Sequence, residues 1–220
     1  CYKTIMQTKL IQNNSKNLII FLTGWGCDSD QFKFMYSKEN DVLIVYDYSN
    51  LDFDIDISNY DKYYLVSFSA GVFVAGMIKD ILPKFEKTIA INGNPIAYDE
   101  YFGLNKNIVN VFNGVTKETA LDFRRKYLTY DEKEFRLFNA NQSHRSFDSC
   151  KEELKSLKQY DATKPECMKF DLAILSNEDK IFNPKHQKEY WEQKTRCLYL
   201  ENSAHFPFFR LNNFDEIIRL

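Results

Sequence analysis

The sequence predicts an α/β fold: a mostly parallel twisted sheet with helices on both faces. Short, near-continuous apolar runs recur along the chain, as strands buried on both faces require. Segments of helical period stand between them, so the strands are joined by crossovers and run parallel. The chain has 220 residues, 44% of them hydrophobic, which is enough for one such domain with a sizeable core.

The elements follow in order. Residues 3–7 and 10–12 are expected to form an antiparallel edge pair. Residues 18–22, 42–46, 63–67, 88–91, 172–175 and 197–200 are compact apolar runs and form the expected parallel core. Helices are expected at 30–36, 70–82, 184–193 and 213–219. Pro184 suits the first turn of its helix, where a missing N–H costs little. The alternation breaks between about 115 and 164. No strand pattern appears there, only helical pieces at 117–128, 131–138 and 147–157. An insertion of this length in a regular alternation points to a helical lid over a site rather than plain crossover helices. Residues 1–220 are thus expected to be a single domain, with 115–164 as its lid.

Composition excludes several function classes. A net charge of −2 gives no reason to expect nucleic-acid binding. Five cysteines, Cys1, Cys27, Cys150, Cys167 and Cys197, form no C-x-x-C pair and are odd in number, which argues against a disulfide framework. Three histidines without paired ligand spacing give no expectation of a zinc site. The acidic stretch 47–61 is interrupted by apolar residues and is expected to be a solvated loop, not a metal site. No run is long enough to span a membrane, and the start lacks the form of a signal peptide. A cytoplasmic monomer needing no metal or organic cofactor is the expectation.

The chemistry centres on Ser69. It sits in Ser67-Phe68-Ser69-Ala70-Gly71, directly after a strand pattern and before a helix pattern. A strand, a tight turn carrying serine, then a helix is the architecture of a nucleophile elbow, here with Ser67 where G-x-S-x-G has its first glycine. A serine nucleophile needs a base, and the base an orienting acid. Asp179 follows the strand at 172–175, and His205 follows the strand at 197–200. All three therefore fall at the carboxyl ends of parallel strands, where open α/β sheets build their sites. Glu178 is the rival for the acid. Asp179 is preferred from its spacing to Pro184. His144 lies in the lid segment and His186 in an exposed helix pattern, which leaves His205 as the base. The backbone N–H groups of Ala70 and of Trp25, in Thr23-Gly24-Trp25-Gly26, are the expected oxyanion donors. The indole of Trp25 is also expected to wall the substrate pocket. Ser69 as a simple helix cap, Trp25 as a core residue and Cys27 as packing are the plainer readings of these residues.

The string Leu18-Ile19-Ile20-Phe21-Leu22-Thr23-Gly24-Trp25-Gly26 resembles the opening strand and loop of the compact pimeloyl-[acyl-carrier protein] methyl ester esterases of biotin synthesis (BioG type), within the α/β-hydrolase superfamily. So do the elbow at Ser67 to Gly71 and the segment Ile89-Ala90-Ile91-Asn92-Gly93-Asn94-Pro95. The resemblance covers most of the chain and is loosest in the lid. It implies a cytoplasmic esterase that cleaves the methyl ester at the far end of an acyl chain borne by acyl-carrier protein. It matches Ser69, Asp179 and His205 to the family's triad and Trp25 to its oxyanion loop. Phe68, Phe206, Phe208 and Phe209 stand near the catalytic loops and are candidates to line an apolar channel, although core packing is the commoner fate of such residues. Four of the seven arginines, Arg124, Arg125, Arg136 and Arg145, lie in the lid segment. Arg124 and Arg125 are the candidates for docking the acidic carrier protein. A general carboxylesterase or thioesterase with a small soluble substrate is the alternative, and a non-enzymatic binding protein on the same fold a more distant one.

Overall fold

The computed structural model of the protein describes residues 5–161 and 167–220. Cys1, Lys3, Thr4 and the last part of the expected lid, 162–164, lie outside the described residues. Among the described residues, seven strands form one sheet: β1 (Gln7–Ile11), β2 (Asn17–Leu22), β3 (Asp41–Tyr46), β4 (Lys62–Phe68), β5 (Lys87–Ile91), β6 (Leu172–Ser176) and β7 (Arg196–Leu200). Their spatial order is β1-β3-β2-β4-β5-β6-β7. All neighbours pair in parallel except β1, which runs antiparallel to β3. The helices are α1 (Ala70–Met77), α2 (Lys106–Asn113), α3 (Ala120–Phe123), α4 (Glu132–Ala140), α5 (Phe147–Asp161), α6 (Pro184–Trp191) and α7 (Phe214–Arg219).

Alternation along the strands builds two cores. Leu18, Ile20 and Leu22 of β2 face one side with Val72, Val74 and Ala75 of α1 and Trp191 of α6. Ile19 and Phe21 face the other with Phe32, Phe208 and, from α7, Phe214 and Ile217. Both sides of the central strands are dry, which explains the unbroken apolar runs.

Several expected elements differ. Among the described residues the edge is the single strand β1, which runs across both expected pieces; before it the Met6 amide donates to the Asp52 carbonyl at 3.0 Å, and after it Asp41 Oδ1 accepts from the Asn13 and Ser15 amides at 2.7 and 3.1 Å. The helix expected at 30–36 is a single 3₁₀ turn, Ser29–Phe32, capped by Asp28. Its Phe32 meets Phe21 edge-on at 4.7 Å, so packing on the sheet sets this segment's path. The helix expected at 70–82 stops at Met77, and a 3₁₀ turn covers Lys79–Ile81. Pro83 biases the preceding residue to extended backbone, and Leu82 has ψ 149°. Between β5 and β6 the helices begin earlier than expected. Asn105 caps α2 by accepting from the Ile108 amide, a signal that lies outside the expected insertion. The piece expected at 117–128 is the short α3 followed by a π-helical turn over Arg124–Leu128.

Register sets the site. Leu22 pairs with Ser67, Phe68 with Ile91, Ile91 with Ile174 and Ser176 with Leu200. The carboxyl ends of β2, β4, β5, β6 and β7 are therefore level, and five loops emerge side by side. Ser69 turns sharply there, at φ 53° and ψ −118°, a conformation costing an L-residue roughly 1–3 kcal/mol. The turn fits because its neighbours lack side chains. A Cβ on Gly71 would lie 2.4 Å from the Leu22 carbonyl oxygen, and one on Gly93 would lie 2.5 Å from that of Ser69. Ser67, by contrast, sits in regular β4 register opposite Ala90, fully buried, with its hydroxyl oxygen left without a hydrogen-bond partner among the described residues.

Gly93→Ala should therefore cost about 1–3 kcal/mol by overpacking. Thermal unfolding should show a Tm lowered by roughly 2–10 °C. An unchanged Tm would mean that the β5 end yields freely.

Candidate active site

Ser69 precedes α1 but makes no cap hydrogen bond with its side chain. Its hydroxyl instead meets His205 Nε2 at 2.9 Å. His205 Nδ1 meets Asp179 Oδ2 at 2.8 Å. The other carboxylate oxygen, Oδ1, accepts from the Ile181 and Phe182 amides at 2.7 and 3.0 Å. Asp179 and His205 are buried while Ser69 is half-buried. The three loops thus deliver a hydroxyl, an imidazole and a carboxylate in one hydrogen-bonded line. Such a line can draw a proton from the hydroxyl and hold the resulting imidazolium. The rivals stand elsewhere. Glu178 is exposed. His144 contacts Asp30 at the surface, and His186 stacks on Tyr101 at 3.8 Å. Burial pushes the Cys27 thiol far above its ordinary range, which suits packing rather than attack.

Asn92 ties the line together, and sequence reasoning did not single it out. It has φ 42° at the end of β5. Its Nδ2 donates to Ser176 Oγ at 2.7 Å and to the His205 carbonyl at 2.9 Å. Its Oδ1 accepts from the Ser176 amide at 2.8 Å. One buried amide thus fixes the end of β6 and the histidine loop to the strand beside the elbow. The signal was present in Ile91-Asn92-Gly93-Asn94, but its meaning is tertiary.

The Thr23-to-Gly26 loop is held from the insertion. Trp25 Nε1 donates to the Cys150 carbonyl of α5 at 2.6 Å, and the indole stacks on Phe112 of α2 at 4.7 Å. Glu153, fully buried on α5, accepts from the Gly26 amide at 3.0 Å and the Tyr48 amide at 3.0 Å. Arg145 Nη1 completes its shell at 2.6 Å. Burial pushes the Glu153 carboxyl up, and Arg145 and the two amides draw it back toward ionisation. Among the described residues neither the Trp25 nor the Ala70 main-chain N–H donates to another group of the chain.

A pocket of about 120 Å³ opens over Ser69 and His205. Its walls include Trp25, Phe68, Phe123, Leu128, Phe138 and Phe206. Two of the four expected channel phenylalanines therefore line it. Phe208 instead packs against Phe21 and Phe32, and Phe209 stacks on Phe34. Arg124 also lines the pocket, held by Asn139 and Gln142 and without an ion-pair partner among the described residues. Arg125 does not line it. It lies over the Phe135 ring and pairs with Glu132, as Arg136 does. No helix among the described residues is long and apolar enough to cross a membrane.

Comparison with known proteins places these features in context. A family described as "Pimeloyl-ACP methyl esterase BioG" matches residues 6–217. An uncharacterized protein of Haemophilus influenzae is 31% identical over 96% of this chain and 99% of its own length. A Bacteroides fragilis protein named malonyl-[acyl-carrier protein] O-methyltransferase is 31% identical over 87% of this chain, which spans only 40% of that protein's length. The crystal structure of BioG from Haemophilus influenzae superposes with a TM-score of 0.88 at 28% identity, covering 97% of this chain and all of that one. An esterase from Thermogutta terrifontis, at 11% identity and a TM-score of 0.67, covers 97% of this chain and 92% of its own and shares the fold.

Glu153→Ala should lower the urea midpoint by an amount corresponding to roughly 2–5 kcal/mol, since it takes the acceptor from the Gly26 and Tyr48 amides and one of two carboxylate partners from Arg145, Asp47 at 2.9 Å being the other. Lys155→Ala on the same helix, which breaks only an exposed pair with Glu152, should leave the midpoint nearly unchanged.

Proposed function

The chain belongs to the pimeloyl-ACP methyl esterase BioG family and has the α/β-hydrolase fold, and we propose that it is a serine esterase hydrolysing the methyl ester of a pimeloyl chain borne by acyl-carrier protein, in biotin synthesis. It is a hydrolase. The observation that carries the reading is the Ser69–His205–Asp179 line, with contacts of 2.9 and 2.8 Å, beneath an apolar pocket.

In this reading His205 Nε2 takes the Ser69 proton as Oγ attacks the ester carbonyl. Asp179 fixes the imidazole tautomer and stabilises its positive form. The Trp25 and Ala70 N–H groups hold the oxyanion. The carbon–oxygen bond to the methoxy group breaks, and His205 gives its proton to the departing methanol. A water then loses a proton to His205, attacks the acyl-serine, and Ser69 recovers its proton. The chain's own residues supply every proton transfer in this sequence.

The helices between β5 and β6 act as a lid on a single catalytic domain, since α2, α3, α4 and α5 all contribute walls to the pocket. We take the working form to be a cytoplasmic monomer whose partner is the acidic carrier protein. Arg124 at the pocket wall, with no carboxylate partner among the described residues, supports recognition of an anionic partner better than Arg125 does. The Bacteroides relative's name describes methyl transfer to a carrier-bound acyl group. The present reaction is the removal of such a methyl, for which a hydroxyl–imidazole–carboxylate line is suited and methyl transfer has no use.

The deciding assay follows methanol release from methyl pimeloyl-carrier protein, alongside free methyl pimelate and hydrolysis of a pimeloyl thioester. The carrier-borne methyl ester should have the highest kcat/KM. Preference for the free ester or the thioester would favour a general esterase or thioesterase instead. A fluorophosphonate probe should label wild type and not Ser69→Ala. Equal labelling would remove Ser69 as nucleophile. Asp179→Asn should lower kcat by roughly 10³–10⁴-fold by imposing the wrong tautomer. Arg124→Glu should weaken the carrier substrate more than free methyl pimelate, and an equal loss on both would rule out docking through Arg124.

A further inference from the structure

A second, smaller space borders the same serine. It measures about 30 Å³ and shares Trp25, Phe112 and Ser69 with the walls of the main opening. Trp25, Ser69, Ala70, Asn94, Leu104 and Phe182 are among its walls. Trp25 and Ser69 border both spaces, so the indole divides them. Phe182 also lies beside the base, with ring centroids 6.0 Å apart.

We propose that this cavity is the site of the leaving alcohol and restricts the enzyme to esters of the smallest alcohols, methyl and ethyl. The inference rests on the reading of Ser69 as an ester nucleophile. A tetrahedral carbon bonded to Ser69 Oγ, with its oxyanion between the Trp25 and Ala70 amides, has two substituents left to place. One is the acyl chain and the other is the alkoxy group. Two spaces border Ser69, of about 120 and 30 Å³. A single water needs roughly 10–15 Å³ measured in this way. The smaller space thus takes a group of about two or three heavy atoms, the size of a methoxy group or methanol. A pimeloyl chain fits only the larger.

The wall is fixed at Asn94, which is 1% exposed and whose Oδ1 accepts from the Ile96 amide at 2.9 Å. When the carbon–oxygen bond breaks, His205 protonates the methoxy oxygen and the acyl group stays on Ser69. The neutral methanol then leaves and water replaces it.

The test is a matrix of esters. Methyl, ethyl, propyl and butyl half-esters of pimelate vary the alcohol at constant acyl chain, and methyl half-esters of shorter and longer diacids vary the acyl chain. In wild type, kcat/KM should fall about tenfold or more from ethyl to propyl, the usual discrimination of a tight apolar pocket against one methylene. Leu104→Ala, which enlarges the cavity, should raise the propyl-to-methyl ratio about tenfold and leave the acyl-length profile in place. Ratios are independent of the fraction of enzyme folded, so partial misfolding does not blur the result. Equal turnover of methyl and butyl esters overturns the proposal. So does a Leu104→Ala variant that changes acyl-length preference instead, since that would place the acyl chain in the small cavity. Labelling of Ser69 by a fluorophosphonate separates the two levels. Labelling without alcohol discrimination sinks only this inference, whereas absence of labelling sinks the serine-esterase reading beneath it.

Discussion

The turn at Ser69 survives because two glycines let neighbouring strand ends close on it. A left-handed backbone at serine is unfavourable by itself. It is held by its amide donating to the Ile91 carbonyl at 3.0 Å and by its carbonyl accepting from the Val72 amide at 3.0 Å. Side chains at Gly71 or Gly93 would collide with the backbone on either side. With the turn fixed, the hydroxyl emerges beside His205 and meets its Nε2 at 2.9 Å. Everything else at the site is arranged around that fixed point: Asn92 brings the histidine loop to it, and Asp179 orients the ring behind.

The opposite wall is stabilised differently. The loop bearing Trp25 leans on α5 through a buried carboxylate, a buried guanidinium and an indole hydrogen bond. Two charges taken out of water in this way are not a cheap source of stability. Their value is geometric, because a carboxylate with three donors tolerates little displacement. Fold and insertion are therefore one mechanical unit at this point. Helix α5 covers the pocket and also sets the loop that would hold the oxyanion.

Aromatic residues divide the space above Ser69. Trp25, backed by Phe112, stands between a long apolar pocket and a short one. Phe206 and Phe68 floor the long pocket, while Phe208 and Phe209, close to them in sequence, turn into the core and toward Phe34. Neighbouring residues on an irregular segment have unrelated fates, and nothing in the local pattern distinguishes them.

The sequence by itself determined the parallel sheet, the order of its strands along the chain, and the loops bearing Ser69, Asp179 and His205. Those features are local: apolar periodicity, a turn between strand and helix, and residues placed just after strand ends. Even so, among the described residues the edge region is one strand where two were expected, and helix α2 was not foreseen, because a main-chain bond from Met6 to Asp52 and a cap at Asn105 decided them. Only the tertiary structure decided how Ser67 is accommodated, since its surroundings come from β2 and β5 rather than from its neighbours in the chain. Only it separated Arg124 from Arg125 and revealed Asn92, Glu153 and the cavity behind Trp25. Each of these depends on contacts between residues far apart in the chain, and such contacts carry no period or spacing that a single sequence displays.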